Sequence, residues 1–252
     1  MFEVSTEILL LLMAAAFVAG IVDSIAGGGG LITLPVLVIA GAPPLTAIAT
    51  NKVQGVFGAA TAAFTYARGG HVNLRRQWKA ALIAFAAAII GALLTSSLPT
   101  EVIRFGLPVL LIAIALFFAL KPGLNDLDRT ARLTPLAFTL TLVPLIGFYD
   151  GLIGPGAGSF YMIGFVALAG YGVLKATAHT KLLNFASNFG GIVAYAIVAQ
   201  PWWFVGLAMG AAQIAGAYVG SRLAMRIGSR LIKPLVVIAA TALALKLVWD
   251  MI

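Results

Sequence analysis

Two aspartates, two lysines and two glycine clusters carry most of the chemistry this sequence can offer. Asp23 stands in Gly20-Ile-Val-Asp23-Ser-Ile-Ala-Gly27-Gly28-Gly29-Gly30, and Asp150 in Gly147-Phe-Tyr-Asp150-Gly-Leu-Ile-Gly154-Pro155-Gly156-Ala-Gly158. Each is a lone carboxylate in an apolar run, followed by glycines. Downstream, Leu45-Thr-Ala-Ile-Ala-Thr-Asn51-Lys52 lies over Leu174-Lys-Ala-Thr-Ala-His-Thr180-Lys181, with identity at Leu, both Ala and Lys. Ammonium groups attract an anion, glycine turns expose N–H groups, and a helix that starts at such a turn aims its partial positive charge at whatever sits there. Together these residue types suit a small anion.

Around Lys181, the residues Thr177, Lys181, Asn184 and Asn188 are spaced four, three and four apart and so share one helical face. The matched first-half positions are Ile48, Lys52, Gly55 and Ala59, with Asn51 and Gln54 as the nearby amides, so a site would be chemically asymmetric. In this reading Lys52 and Lys181 attract the anion. Asn51, Thr180, Asn184 and Asn188 hydrogen-bond it, and Gly28, Gly29, Gly30, Gly156 and Gly158 supply backbone donors. A competing reading lets either lysine snorkel from a helix end to the interface. Asp23 and Asp150 have two readings: proton carriers for coupled movement, or counter-ions that cap the broken helices.

Composition says what must position these groups. The chain is 252 residues, 62% hydrophobic and 10% charged, with a mean hydropathy of +1.06, which places it in a membrane. Charge-free stretches long enough to span run over 80–100, 151–174 and 182–221, the last divided by Pro201. The first segment lacks a Lys or Arg before its apolar run, so it reads as retained and not as a cleaved signal. There is no cysteine, hence no disulfide or thiolate site, and no metal-ligand cluster or phosphate-loop motif is legible, so no cofactor is expected. The net charge of +8 falls in short connections, where a topology signal explains it better than a nucleic-acid partner does.

The likeness of the halves extends past the motifs. Trp78 falls over Trp203, Ile89-Ile-Gly91-Ala92 over Ile214-Ala-Gly216-Ala217, and Pro108 over Pro234. Each unit reads as a glycine-broken hairpin and three full helices: 7–41, 44–67, 78–98 and 102–120 in the first, 134–170, 173–199, 202–225 and 230–250 in the second. The expected organisation is a first repeat over 1–121, a polar cytoplasmic linker over 122–133 and a second repeat over 134–252. Arg68, Arg75, Arg76 and Lys79 crowd one first-half connection whose counterpart, Gln200-Pro-Trp-Trp, has no basic residue. Arg222, Arg226, Arg230 and Lys233 crowd the counterpart of the basic-poor Leu98-Pro-Thr-Glu101. Basic connections face the cytoplasm, so the repeats are expected to be inverted, with both termini outside. Paired helix breaks at membrane depth must line a cavity or be buried in protein, and they mark a transporter binding site.

These residues resemble the sulfite exporter TauE/SafE family of membrane transporters. The likeness rests on Gly20-Ile-Val-Asp23-Ser-Ile-Ala-Gly-Gly-Gly-Gly-Leu-Ile-Thr-Leu-Pro35, on Ala49-Thr-Asn-Lys52, and on Asp150-Gly-Leu-Ile-Gly-Pro-Gly156 and His179-Thr-Lys181. It implies a polytopic inner-membrane protein that moves sulfite, sulfonates or related small organic anions.

The expectation is therefore an all-α polytopic membrane protein of two inverted-topology repeats, working as a secondary transporter of small anions by alternating access in the plasma membrane. Its partners would be the anion, the lipid bilayer and protons as coupling ion, with a homodimer open to it. A passive anion channel on the same residues is the first alternative. An intramembrane hydrolase on Ser159 and His179 is the second, weakened because their repeat partners are Ile32 and Thr50, so no enzyme activity is expected.

Overall fold

A computed structural model describes residues 4–95 and 125–232, with 234, 235, 237, 238 and 241 beyond them. Among these residues all regular structure is helical: α1 (Thr6–Ala26), α2 (Gly30–Ile39), α3 (Pro44–Arg68), α4 (Leu74–Leu94), α5 (Pro135–Leu152), α6 (Ala157–Ala167), α7 (Val173–Val198) and α8 (Trp203–Ile227). Local chemistry sets several starts. The Ser5, Asn73 and Thr134 side chains accept the N–H groups of Ile8, Arg76 and Ala137, and Pro44 and Pro135 open their helices where a missing N–H costs nothing. Asn73 explains why α4 begins four residues before the expected Trp78. The expected helix over 102–120 lies outside the described residues, as does most of that over 230–250.

The charge-free run 151–174 is not one span. Between the end of α5 and the start of α7 it holds the 11-residue α6, because the chain breaks before it and turns after it. Among the described residues five helices, α1, α4, α5, α7 and α8, are long and apolar enough to cross a membrane. Leu10, Ile39, Ile197 and Phe204 point outward with 61–78% of their surface exposed, which would be an aggregation hazard in water and is the normal condition of a lipid-facing side chain.

Small residues let the helices approach closely where no hydrophobic force drives them together. Gly216 and Gly220 of α8 lie against the Phe17 and Ile21 backbone of α1, while Gly206 and Gly210 lie against Val53 and Phe57 of α3. The two sets of four-spaced glycines are thus packing faces. The same device joins α4 to α5, where Gly147 meets the Ala84 carbonyl and Gly151 the Ala88 carbonyl.

These contacts also fix directions. Along α3 and α8 they climb together, from Thr50 and Trp202 through Val53 and Gly206 to Phe57 and Gly210. Contacts climb together likewise between α1 and α8 and between α4 and α5. They do so between α4 and α7 as well, where Gln77 bonds the His179 carbonyl, Gly190 lies on Phe85 and Thr95 meets Tyr195. Between α3 and α7 the order reverses: Lys52 lies on Gly191 and Gly55 on Asn188. Hence α1, α3 and α8 run one way, and α4, α5 and α7 the other.

The stretch before α5 is strapped to the molecule. Asp126 accepts the Leu174 N–H at the start of α7 and the Ser229 N–H beyond α8, and Asp128 accepts the Gly172 N–H and pairs with Lys175 at 2.5 Å. Partial burial pushes the Asp128 carboxyl up, but the Lys175 ammonium and Gly172 N–H together hold it below the usual carboxylate range.

Candidate functional site

The site forms where the two helix breaks meet. Gly27, at φ +81°, ends α1, and Gly156, at φ +82°, precedes α6; both are left-handed backbone that L side chains avoid. The breaks then touch. A Cβ on Gly27 would fall 2.6 Å from the Ser159 nitrogen, and one on Gly158 would fall 2.7 Å from the Gly27 Cα. Ser159 Oγ donates to the Ala26 carbonyl at 2.8 Å and ties one break to the other.

Beside this contact each lysine pairs with the other half's aspartate. Lys52 Nζ lies 2.5 Å from Asp150 Oδ1, with its stem on Gly191, and Ser187 Oγ donates to the second Asp150 oxygen. Lys181 Nζ donates to the Asp23 backbone carbonyl and stands 3.7 Å from Asp23 Oδ2. Neither lysine snorkels, since both are fully enclosed. A buried charge is tolerated where it is paired and hydrogen-bonded, and these four residues neutralise one another. The pairs differ: Asp150 is buried on all sides, whereas the Asp23 side chain keeps 15% of its surface and spends Oδ1 on the Gly29 N–H at the head of α2. The Gly29 N–H is the bond a capping carboxylate makes.

A cavity of about 30 Å³ sits between the breaks, roughly enough for two waters. Of the residues singled out in the sequence, Asn51, Asn184, Asn188, Gly30, Gly156, Gly158, Asp23 and Asp150 line it. Lys52 and Lys181 stand behind their carboxylates and do not line it, nor do Gly28 and Gly29. Thr180 is also absent, because its hydroxyl bonds the Ala176 carbonyl of its own helix. Thr177 likewise turns to Val173 and Met162.

Sequence reasoning passed over Gln213 of α8 and, as a cavity residue, Gln54 of α3. Gln54 donates to Thr33 and Asn51, and Thr33 donates to Asn51 at 2.6 Å. The Gln54, Asn184 and Gln213 side-chain oxygens are buried with no hydrogen-bond partner, although all three residues line the cavity. A lone amide inside the apolar α8 was the available signal for Gln213. Tyr66 and Tyr195 were also passed over, though they are separated by the same interval as Lys52 and Lys181. Tyr66 bonds the Ser24 carbonyl at 2.9 Å and Tyr195 the Gly151 carbonyl at 2.8 Å, each bracing the segment next to an aspartate. Tyr66→Phe should cost about 1 kcal/mol, by stranding a buried carbonyl, in denaturation of the detergent-solubilised protein.

The hydrolase alternative finds no support in this geometry. Ser159 is committed to Ala26, while the His179 Nδ1 meets the Lys175 carbonyl and its ring lies against Phe165 and Tyr171.

A bundle of long apolar helices around a small polar cavity, walled by broken helices and paired charges, has the architecture of a polytopic membrane protein. The family model for sulfite exporter TauE/SafE matches residues 12–247, and the chain belongs to that family of membrane transporters. It is 56% identical to the probable membrane transporter protein ORF9 of Sinorhizobium sp, covering 98% of this chain and 95% of that one. It is 42% identical to the probable membrane transporter protein YfcA of Escherichia coli K12 (99% and 93%). A probable membrane transporter protein of Haemophilus influenzae is 40% identical (98% and 97%). No solved structure matches the chain.

Proposed function

We propose that this transporter moves a small anion, of the sulfite, sulfonate or small carboxylate class, across the plasma membrane by alternating access between two inverted repeats. The observation that carries the reading is the convergence of two broken-helix N-termini, at Gly30 and at Gly156–Gly158, on one cavity lined by amides from both halves. First-turn N–H groups have no partner within their own helix and favour negative charge. Asn51, Asn184 and Asn188 add side-chain amide N–H groups.

The helix directions support the inversion. The counterparts α1 and α5, α3 and α7, and α4 and α8 run oppositely, and the basic ends of α3 and α8 lie together at one end of the bundle. With that end cytoplasmic, the strapped segment 125–133 is cytoplasmic as well and the N-terminus lies outside. The small size of the cavity, about 30 Å³, supports a reading in which one half rocks against the other to load the anion.

The test is binding of sulfite, thiosulfate, methanesulfonate and acetate to the purified protein. Lys181→Ala, which breaks the looser pair, should weaken the best ligand at least tenfold, or about 1.4 kcal/mol. Unchanged affinity in folded Lys181→Ala and Lys52→Ala variants would refute the assignment.

A further inference from the structure

We propose that a cleft between the C-terminal ends of α3 and α8 binds the phosphate group of an anionic membrane phospholipid. The cleft measures about 620 Å³ and is separate from the central cavity. Arg68 comes from the last turn of α3, and Arg222 and Arg226 from the last turns of α8. The ion pairs of the described residues lie elsewhere, so three positive charges face this cleft without a carboxylate. Aromatic rings hold two of them: the Arg68 guanidinium lies 4.3 Å from the Phe64 ring centroid, and that of Arg222 4.6 Å from the Tyr218 centroid.

The occupant follows from what borders the charges. Phe64 and Tyr218 are 52% and 44% exposed on helices whose outer faces meet lipid, so the cleft opens sideways onto acyl chains with the arginines at its headgroup end. A soluble anion would gain nothing from that apolar wall. Guanidinium forks match a phosphodiester in two-point hydrogen bonding, and basic pockets between helices on the cytoplasmic side suit the anionic lipids of that leaflet.

The full chain, purified in a zwitterionic detergent, would be titrated with phosphatidylglycerol or phosphatidylcholine of the same acyl chains and read by native mass spectrometry. The parent should prefer phosphatidylglycerol at least tenfold. The triple variant R68Q/R222Q/R226Q should bind both lipids alike. R75Q/R76Q/K79Q, which removes equal charge from the first turns of α4, should keep the preference. If the triple variant does not fold, Arg222→Gln alone should weaken phosphatidylglycerol about fivefold. Retained preference in folded R68Q/R222Q/R226Q, equal loss in both triple variants, or displacement of the lipid by inorganic phosphate at comparable concentration would each overturn the proposal. The last would identify a soluble-anion site instead.

Discussion

Lys52→Met should destabilise the protein by about 3–5 kcal/mol, because it leaves Asp150 as an uncompensated charge among helices. Asp150 keeps the Ser187 hydroxyl as a donor but loses the ammonium at 2.5 Å, and the site has almost no exposure through which water could substitute. Lys181→Met should cost clearly less, since its pair stands at 3.7 Å and Asp23 retains the Gly29 N–H and some exposure. Adding Asp150→Asn to Lys52→Met should recover most of the loss, because removing both charges of a buried pair is far cheaper than removing one. Denaturant unfolding in detergent micelles measures all four proteins. Equal losses for the two lysine variants, or no recovery in the double variant, would show that the pairs are not the stabilising unit described.

Gly27→Ala carries the second large effect. An L residue at φ +81° costs about 1–2 kcal/mol, and its Cβ would meet the second break 2.6 Å from the Ser159 nitrogen, where backbone must move at about 1–3 kcal/mol more. The expected total is about 3 kcal/mol, with loss of transport in proteoliposomes. Gly70→Ala is the control, because Gly70 has φ +77° but nothing within 4 Å of a Cβ. It should lose only the backbone part, about 1–2 kcal/mol, and transport normally. If the two variants lose equally, contact between the breaks contributes nothing to stability.

Much of this arrangement is legible in the residues themselves. The hairpins, α3 and α7 follow from proline and glycine punctuation, and α3, α7 and α8 fall within two residues of expectation. The lysines and aspartates stand out because a charge inside an apolar run has few explanations. Their partnership is not legible, since Asp150 and Lys52 are 98 residues apart and nothing local tells a carboxylate which ammonium it will meet. The lysines are expected at the ligand, and in the structure they stand behind the two carboxylates that line the cavity. Thr180 shows a different limit: position on a helix gives a face, yet a threonine hydroxyl can turn back to its own backbone. Gln213 escapes a reading guided by repetition because its first-half counterpart is Ala88.

The crossing of the two pairs also bears on biogenesis. Asp23 and Lys52 enter the bilayer early in synthesis, but Lys181 follows Asp23 by 158 residues. Until the later helices emerge, neither residue has the partner it meets in the finished fold, so both crossed pairs can close only after the second half has been made.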